Sequence, residues 1–585
     1  MVGTTSRCAN ETPAAGYRLP PTAAVARNPF GVASCLALGV LFAPVSVLSA
    51  AEITLAQNFL GPPQPGRERV LPEAPPAELD FTIQAPRRTP VPRAAEELSF
   101  EAKDVQVVGV TAYPPDDIRP LIAPVIGKTI HLSDLVAAAE RIEAKYRADG
   151  YILSRAYVPA QSVSNGVFQI AVVEGYIAAT SVVGGDETTR SRIERLVAPV
   201  LASRPLQMSV IEQALLTAND TPGVNVSGLL RPSATEAGAS DLVVTVSSQP
   251  YTILLSTDNR GAKSSGVWTE SVDVAVRSPF PDGGQILLNA SAAPDVNQRR
   301  SMQGKYVFAL GGATLSMSGL VSHGQPAGSV SDLRLVSNGI TVGPHVSYPL
   351  ILSRQERLSL DGGFTWQAAD VHVLGAPFSH DEWRVVDAAL VYQNSRWLDG
   401  VSNATLDVAK GVNLFGASKP GSIDLSRPGG RPDFTKASTQ LRRVQTLDGP
   451  LSLSASASGQ YSLDKLLTGE EISFGGAQIG RGYDPATVTG DHGAGGAFEL
   501  RYDLDAADLY LDQAQLYTFY DIGRVWLRSG KVTESELQSI GLGVRMVVFT
   551  DLSLAAELAH GLLPLATSDN GRRDTRVLFN GSVKF

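Results

Sequence analysis

From about residue 250 to Phe585 the chain alternates apolar and polar residues with a period of two. Leu358, Leu360, Phe364 and Trp366 alternate with Arg357, Ser359, Asp361, Thr365 and Gln367. Leu451, Leu453, Ala455, Ala457 and Tyr461 alternate with Ser452, Ser454, Ser456, Ser458 and Gln460. The last residues do the same, Val577, Phe579, Val583 and Phe585 against Arg576, Asn580, Ser582 and Lys584. Successive strand side chains point to opposite faces, so each such strand has one apolar and one wet face. Sixteen can be counted, beginning near Thr252, Thr269, Gln285, Gly304, Ala313, Asp332, Glu356, Glu382, Ser402, Phe434, Leu451, Ala497, Gln513, Ser539, Leu552 and Thr575. Tight links ("PFPDGG", "GG", "SRQE", "LDG", "LDGP", "FTD") take turns with long ones such as 411–433, 463–495 and 563–574. Membrane barrels have this asymmetry, with short periplasmic turns and long external loops. A soluble sandwich would not line its inner faces with so much Ser, Gln, Asp and Arg, because a polar interior inverts a soluble core. Residues 250–585 are therefore expected to form a 16-stranded antiparallel transmembrane β-barrel.

Ahead of the barrel the period changes. "FEAKDVQVVGV" reads as a strand and "PDDIRPLIAPVIG" as a short helix. "LSDLVAAAERIEAKYRADG" reads as an amphipathic helix with Leu135, Ala139, Ile142 and Tyr146 on one face. "YILSRAYVP" and "FQIAVVEG" follow as strands. The same β-α-α-β-β order recurs from "IAATSVVGG" to "DLVVTVSSQ", with Leu132-Ser133 matching Met208-Ser209 and Ser209 with Glu212 forming a capping-box pattern. Two tandem α/β modules are expected, at 97–175 and 176–249.

The N-terminus reads as an export signal, residues 1–51. Arg27 precedes the apolar run Phe30–Leu48, and Ser49, Ala50 and Ala51 supply a cleavage site. Cys8 and Cys35 both fall inside it, so a cleaved chain has no thiol chemistry. Residues 52–96 are proline-rich and read as an extended linker, with a plug or docking segment as the alternative. A net charge of −9 without basic tracts argues against a nucleic-acid partner. The seven histidines form no HExxH pair, "GGAQIG" lacks a phosphate-loop context, and Glu499, Asp503 and Asp521 read as lumen lining. No metal, cofactor or enzymatic activity is expected.

One loop stands apart. Residues 463–495 show no structure of their own, and a loop of that length is functional or disordered. It contains "GRGY", with Arg481 and Tyr483 set between Gly480 and Gly482. In "QAQLYTFYDIGRVW", Leu516, Tyr520, Ile522 and Trp526 suit lipid, so Phe519, Asp521 and Gly523 face the lumen. A lumenal carboxylate wants a partner, and arginine's planar fork suits one. An exposed turn around Arg481 is the alternative.

"GRGY" (480–483), "FYDIG" (519–523), "STDNRG" (256–261), the terminal Phe585 and the tandem modules together resemble the outer-membrane transporters of two-partner secretion, the haemolysin secretion/activation branch of the Omp85 superfamily. The likeness runs over residues 97–585. It implies a barrel preceded by two periplasmic POTRA domains, and a loop 6 folded inward with Arg481 held by Asp521 and Tyr483 and Phe519 packing nearby. It implies a Gram-negative outer-membrane location, with membrane lipid, the barrel assembly machinery and an unfolded, secreted partner exoprotein as partners, and Phe585 as assembly signal. An assembly factor of the same superfamily is the alternative, although those carry more modules. The chain departs from the family at Gly480, where an aliphatic residue usually precedes the arginine. "AEITLAQNFLG" is too short and interrupted to assign as a plug helix.

Overall fold

A computed structural model of the chain describes residues 81–83, 99–163, 165–236, 238–277, 280, 283–506, 511–528, 534–549, 551–564 and 575–585. The expected leader lies outside the described residues, as does the expected linker apart from β1 (Phe81–Ile83).

The first module comprises β2 (Ser99–Ala102), β3 (Asp104–Val108), α1 (Pro115–Ile122), β4 (Lys128–His131), α2 (Leu132–Ala148), β5 (Arg155–Tyr157) and β6 (Val167–Val173). The apolar stripe of α2 is buried as its spacing requires, with Leu135, Ala139, Ile142 and Tyr146 packed in one cluster with Val105, Phe168 and Ile170. Asp134 accepts the His131 N–H at 2.8 Å and so tethers the helix start. The single strand expected from Phe100 to Val110 is two. Lys103 breaks it by donating its N–H to the Gly166 carbonyl, and β2 pairs instead with β4. β3 runs parallel to β6, which is antiparallel to β5.

The second module keeps the expected order: β7 (Ile177–Gly184), α3 (Glu187–Val197), α4 (Met208–Asn219), β8 (Val224–Pro232) and β9 (Ser240–Ser248). Its cap differs. Ser209 lies within α4, Gln207 is the N-cap residue, and no side chain caps the helix. The Met208 N–H is spent on the Gly150 carbonyl just past α2 of the first module, and the helix starts two residues earlier than a Ser209 cap would set it. The sheet order is β1-β8-β9-β7, so three residues expected as linker form an edge strand.

Among the described residues, sixteen strands from Tyr251–Asp258 to Thr575–Lys584 close into an antiparallel barrel, the last strand pairing with the first. Observed starts lie within a few residues of those read from alternation. The widest departure is Ala376 against Glu382, on a hairpin of 18- and 19-residue strands. At its tip Leu374, Gly375, Ala376, Pro377 and Phe378 follow one another with no polar side chain between them, so alternation fades there. Leu516, Phe498 and Leu542 are exposed on the outer face while Phe519 and Asp521 are buried. No helix among the described residues is long and apolar enough to cross a membrane; the strands do so.

Three arginines tie the second module to one barrel rim. Arg277 pairs with Asp186, Arg354 with Glu212 at 3.2 Å, and Arg357 grips Asp220 with both terminal nitrogens at 2.8 and 3.0 Å. The planar fork makes the last contact directional as well as attractive.

Candidate functional site

Loop 6 folds into the barrel, as the resemblance implies, and it carries structure of its own, which its sequence did not lead one to expect. Ile472–Phe474 and Val488–Gly490 form a two-stranded hairpin, and the next barrel strand begins at His492 rather than Ala497. The three-residue strands are too short for a periodic signal. They are stabilised by packing: Ile472, Phe474, Ile479, Tyr483 and Val488 share a cluster with the wall residues Ala497, Val525 and Leu537.

Arg481 at the hairpin tip is 3% exposed and Asp521 is 0%. Asp521 Oδ2 accepts from the Arg481 N–H at 3.0 Å, Arg481 Nε at 3.1 Å and the Gly480 N–H at 3.1 Å. Its Oδ1 accepts from Arg481 Nη2 at 2.7 Å. Ser539 Oγ adds a bond to Oδ2 at 3.0 Å. Arg481 Nη1 reaches Glu499 at 2.6 Å and lies 3.8 Å from Glu557. The Phe519 ring lies beneath the guanidinium, 3.5 Å from centroid to carbon, a cation–π stack in a water-poor site. The site is a network rather than a pair. Glu499 also binds Arg501 and Arg545, and Glu557 binds Arg260 and the Tyr517 hydroxyl. Removing one member of a buried ion pair costs about 3–5 kcal/mol, because the remaining charge stays desolvated.

The neighbouring residues shape the seat. Gly480 has φ +92°, and a Cβ there would come within 2.7 Å of Leu537 Cδ1. The apolar contact is made one residue earlier by buried Ile479. At Gly482 a Cβ would meet the Gly561 nitrogen at 2.6 Å, so the tip backbone lies directly against the wall. The Tyr483 hydroxyl sits 2.9 Å from the Gln538 and Leu563 carbonyls and accepts the Leu563 N–H at 2.9 Å. Gly523 leaves room for Phe474, whose Cγ would lie 2.8 Å from an added Cβ. Phe585 is remote from this site. Its backbone pairs both ways with Ile253 at the closing seam, and its side chain is exposed.

Sequence reasoning missed a second set of anchors at the base of the loop. Asp491, fully buried, accepts from both terminal nitrogens of Arg427 and from the Leu466 and Arg528 N–H groups. Glu470 accepts the Trp383 indole N–H at 2.7 Å and pairs with Lys436 at 2.6 Å. Trp383 and Asp521 lie on strands five steps apart in the barrel order, so the loop spans the lumen between two parts of the wall. The only sequence signal was the acids Glu470, Glu471 and Asp491, which the loop carries alongside Asp464 and Asp484.

Comparison with known proteins agrees with this architecture. The chain is 22% identical to the heme/hemopexin transporter protein HuxB of Haemophilus influenzae (strain 86-028NP), over 88% of this chain and 92% of that one. It is 26% identical to the hemolysin transporter protein ShlB of Serratia marcescens, over 70% and 73%. In fold it is similar to CdiB from Escherichia coli, with a TM-score of 0.65 and 22% identity over 85% of this chain and 93% of that one. BamA from Haemophilus ducreyi lacking POTRA domains 1–3 is similar at a TM-score of 0.52 and 12% identity, over 83% of this chain and 100% of that one. Residues 100–175 match the ShlB-type POTRA domain. Residues 238–546, more than half of the sequence, match the haemolysin secretion/activation proteins, and the chain belongs to that ShlB/FhaC/HecB family.

Proposed function

We propose that this chain secretes one partner exoprotein of haemolysin or adhesin type through the outer membrane, in extended form, with residues 97–175 and 176–249 acting as tandem periplasmic POTRA domains. Membership of a family of secretion transporters carries this reading. The geometry supports it. The second module is clamped to the rim by Arg277, Arg354 and Arg357, so a segment held on that module is held at the barrel entrance. An extended segment is best captured by adding it as a strand to an open sheet edge. Loop 6 occupies the lumen through Arg481 and Glu470, so passage requires the loop to move. Arg481 and Asp521 form the latch, Phe519 supports the guanidinium, and Gly480, Gly482, Tyr483 and Gly523 shape its seat. The outer strand faces contact membrane lipid, and Phe585 serves as the signal read by the barrel assembly machinery. No cofactor takes part; folding of the partner outside makes the movement one-way.

The fold likeness to BamA favours one rival, a factor that inserts other barrels. Deleting the chain in its host and measuring two quantities separates them. The exoprotein encoded by the neighbouring gene should vanish from the medium while other outer-membrane barrels stay at normal levels. A general fall in barrel proteins with the exoprotein still secreted overturns the secretion reading.

A further inference from the structure

β1 makes a strand contact that the family resemblance does not require. Its three residues pair in parallel with the outer edge of β8, Phe81 opposite Gly228, Thr82 opposite Leu229 and Ile83 opposite Leu230. β8 is nine residues long, so most of its edge is uncovered by β1. A glycine inside a strand weakens it and marks a close approach. Gly228 does so here, since an added Cβ would lie 2.8 Å from Leu215 Cδ1 and 3.1 Å from Phe81 Cδ2. The gap seats the Phe81 ring, which packs on the core of the second module. Arg354, on the barrel turn that pairs with Glu212 of α4, lies over that ring at 5.8 Å. The aromatic is thus bounded by module and barrel together. After Ile83 the sequence brings Pro86, Pro90 and Pro92, which have no N–H to continue a ladder. The corresponding outer edge of the first module, at β5, carries no such strand among the described residues.

We propose that the outer edge of β8 is the acceptor for an extended segment of the exported chain, and that Phe81–Ile83 occupy it until that segment displaces them. The acceptor favours an alternating polar and apolar segment that brings an aromatic side chain to Gly228. This rests on the secretion reading and names the regulation of its capture step. An incoming strand must compete with a tethered copy, which lowers its apparent affinity in proportion to the time the edge is covered. The exchange happens beside Arg354, so the arriving strand is handed over at the barrel rim.

Two assays on the full-length chain test the proposal. The register partners Thr82→Cys and Leu229→Cys supply a disulfide pair in a chain whose own Cys8 and Cys35 lie in the expected leader. The probe is a fluorescein-labelled peptide copying residues 77–85, AELDFTIQA. Oxidised protein should bind no peptide and export the neighbouring gene's exoprotein poorly, and reductant should restore both. Phe81→Ala should tighten peptide binding about tenfold as the edge is vacated, and Gly228→Val should abolish binding in that background. Export at the unmodified rate from fully oxidised protein overturns the proposal, as does peptide binding that Gly228→Val leaves intact. If the unmodified chain exports nothing while the peptide follows the expected pattern, the secretion reading fails and the acceptor edge stands.

Discussion

Asp521 holds Arg481 by its backbone and its side chain at once, accepting from the main-chain N–H at 3.0 Å, from Nε at 3.1 Å and from Nη2 at 2.7 Å. A point charge cannot reproduce this, because the fork and the backbone approach the carboxylate from fixed directions. The contact therefore fixes the path of the loop tip as well as pairing two charges.

Arg481→Ala should release the tip and reduce export while the barrel still reaches the membrane. Loss of one buried partner at about 3–5 kcal/mol shifts the loop's in–out equilibrium by a factor of roughly a hundred to several thousand. Cleavage of loop 6 by external protease on intact cells measures the release. Arg481→Lys should fall between. Exchanging Arg481 and Asp521 should not rescue either single change, because an aspartate at position 481 would face Glu499 and Glu557. Full rescue by the exchange would mean that the other two carboxylates do not matter.

Gly480→Val places the family's usual aliphatic residue before Arg481 and should nevertheless loosen the tip. The backbone is at φ +92°, where a β-branched residue is strained, and Leu537 fills the space. Ile479→Val should cost only about 0.5–1.5 kcal/mol. Protease accessibility of loop 6 should rank Gly480→Val well above Ile479→Val; the reverse order would remove Ile479 as the displaced apolar anchor.

Trp383→Phe keeps most of the buried ring and removes the N–H that Glu470 accepts. A buried carboxylate that loses a donor costs about 1–3 kcal/mol. Single-channel recordings in planar bilayers should show more frequent open events than the unmodified barrel, with the Arg481–Asp521 end still attached. Unchanged recordings would show that this end of the loop does not limit opening.

The strands were legible because the solvent writes them: lipid outside and polar contacts inside impose period two on each, from Thr252 to Phe585. The latch was legible in part because Asp521 stands on a lumenal position among apolar outer ones. Glu499, Arg545 and Glu557 join the same network from three different strands and Arg260 from the turn after the first, and no spacing rule links residues 260 and 557. The hairpin inside loop 6 and β1 were hidden for another reason. Each strand has three residues, and its place is set by side chains from elsewhere, Phe474 against Gly523 and Phe81 against Gly228. The failed cap at Ser209 is similar, since a contact from Gly150 decides where α4 starts.

The first module carries its own acid sensitivity. Burial pushes the Glu174 carboxyl upward, but hydrogen bonds from the Thr111 hydroxyl, the Tyr146 hydroxyl and the Ala112 and Thr111 N–H groups outweigh it and hold the group below the ordinary glutamate range. A folded-state pKa below the unfolded value contributes stability above the unfolded value, about 4.3, that is lost as pH falls through the folded one. The contribution is therefore full at neutral pH and disappears in acid. Hydrogen exchange of the Val167–Val173 amides in the full-length chain, corrected for the intrinsic rate, should show protection falling below about pH 4.3. Glu174→Gln should lower protection at pH 7 and flatten this dependence, because the amide keeps one acceptor and has no proton to take up. An equally steep acid loss in Glu174→Gln would assign the sensitivity to another group of the module.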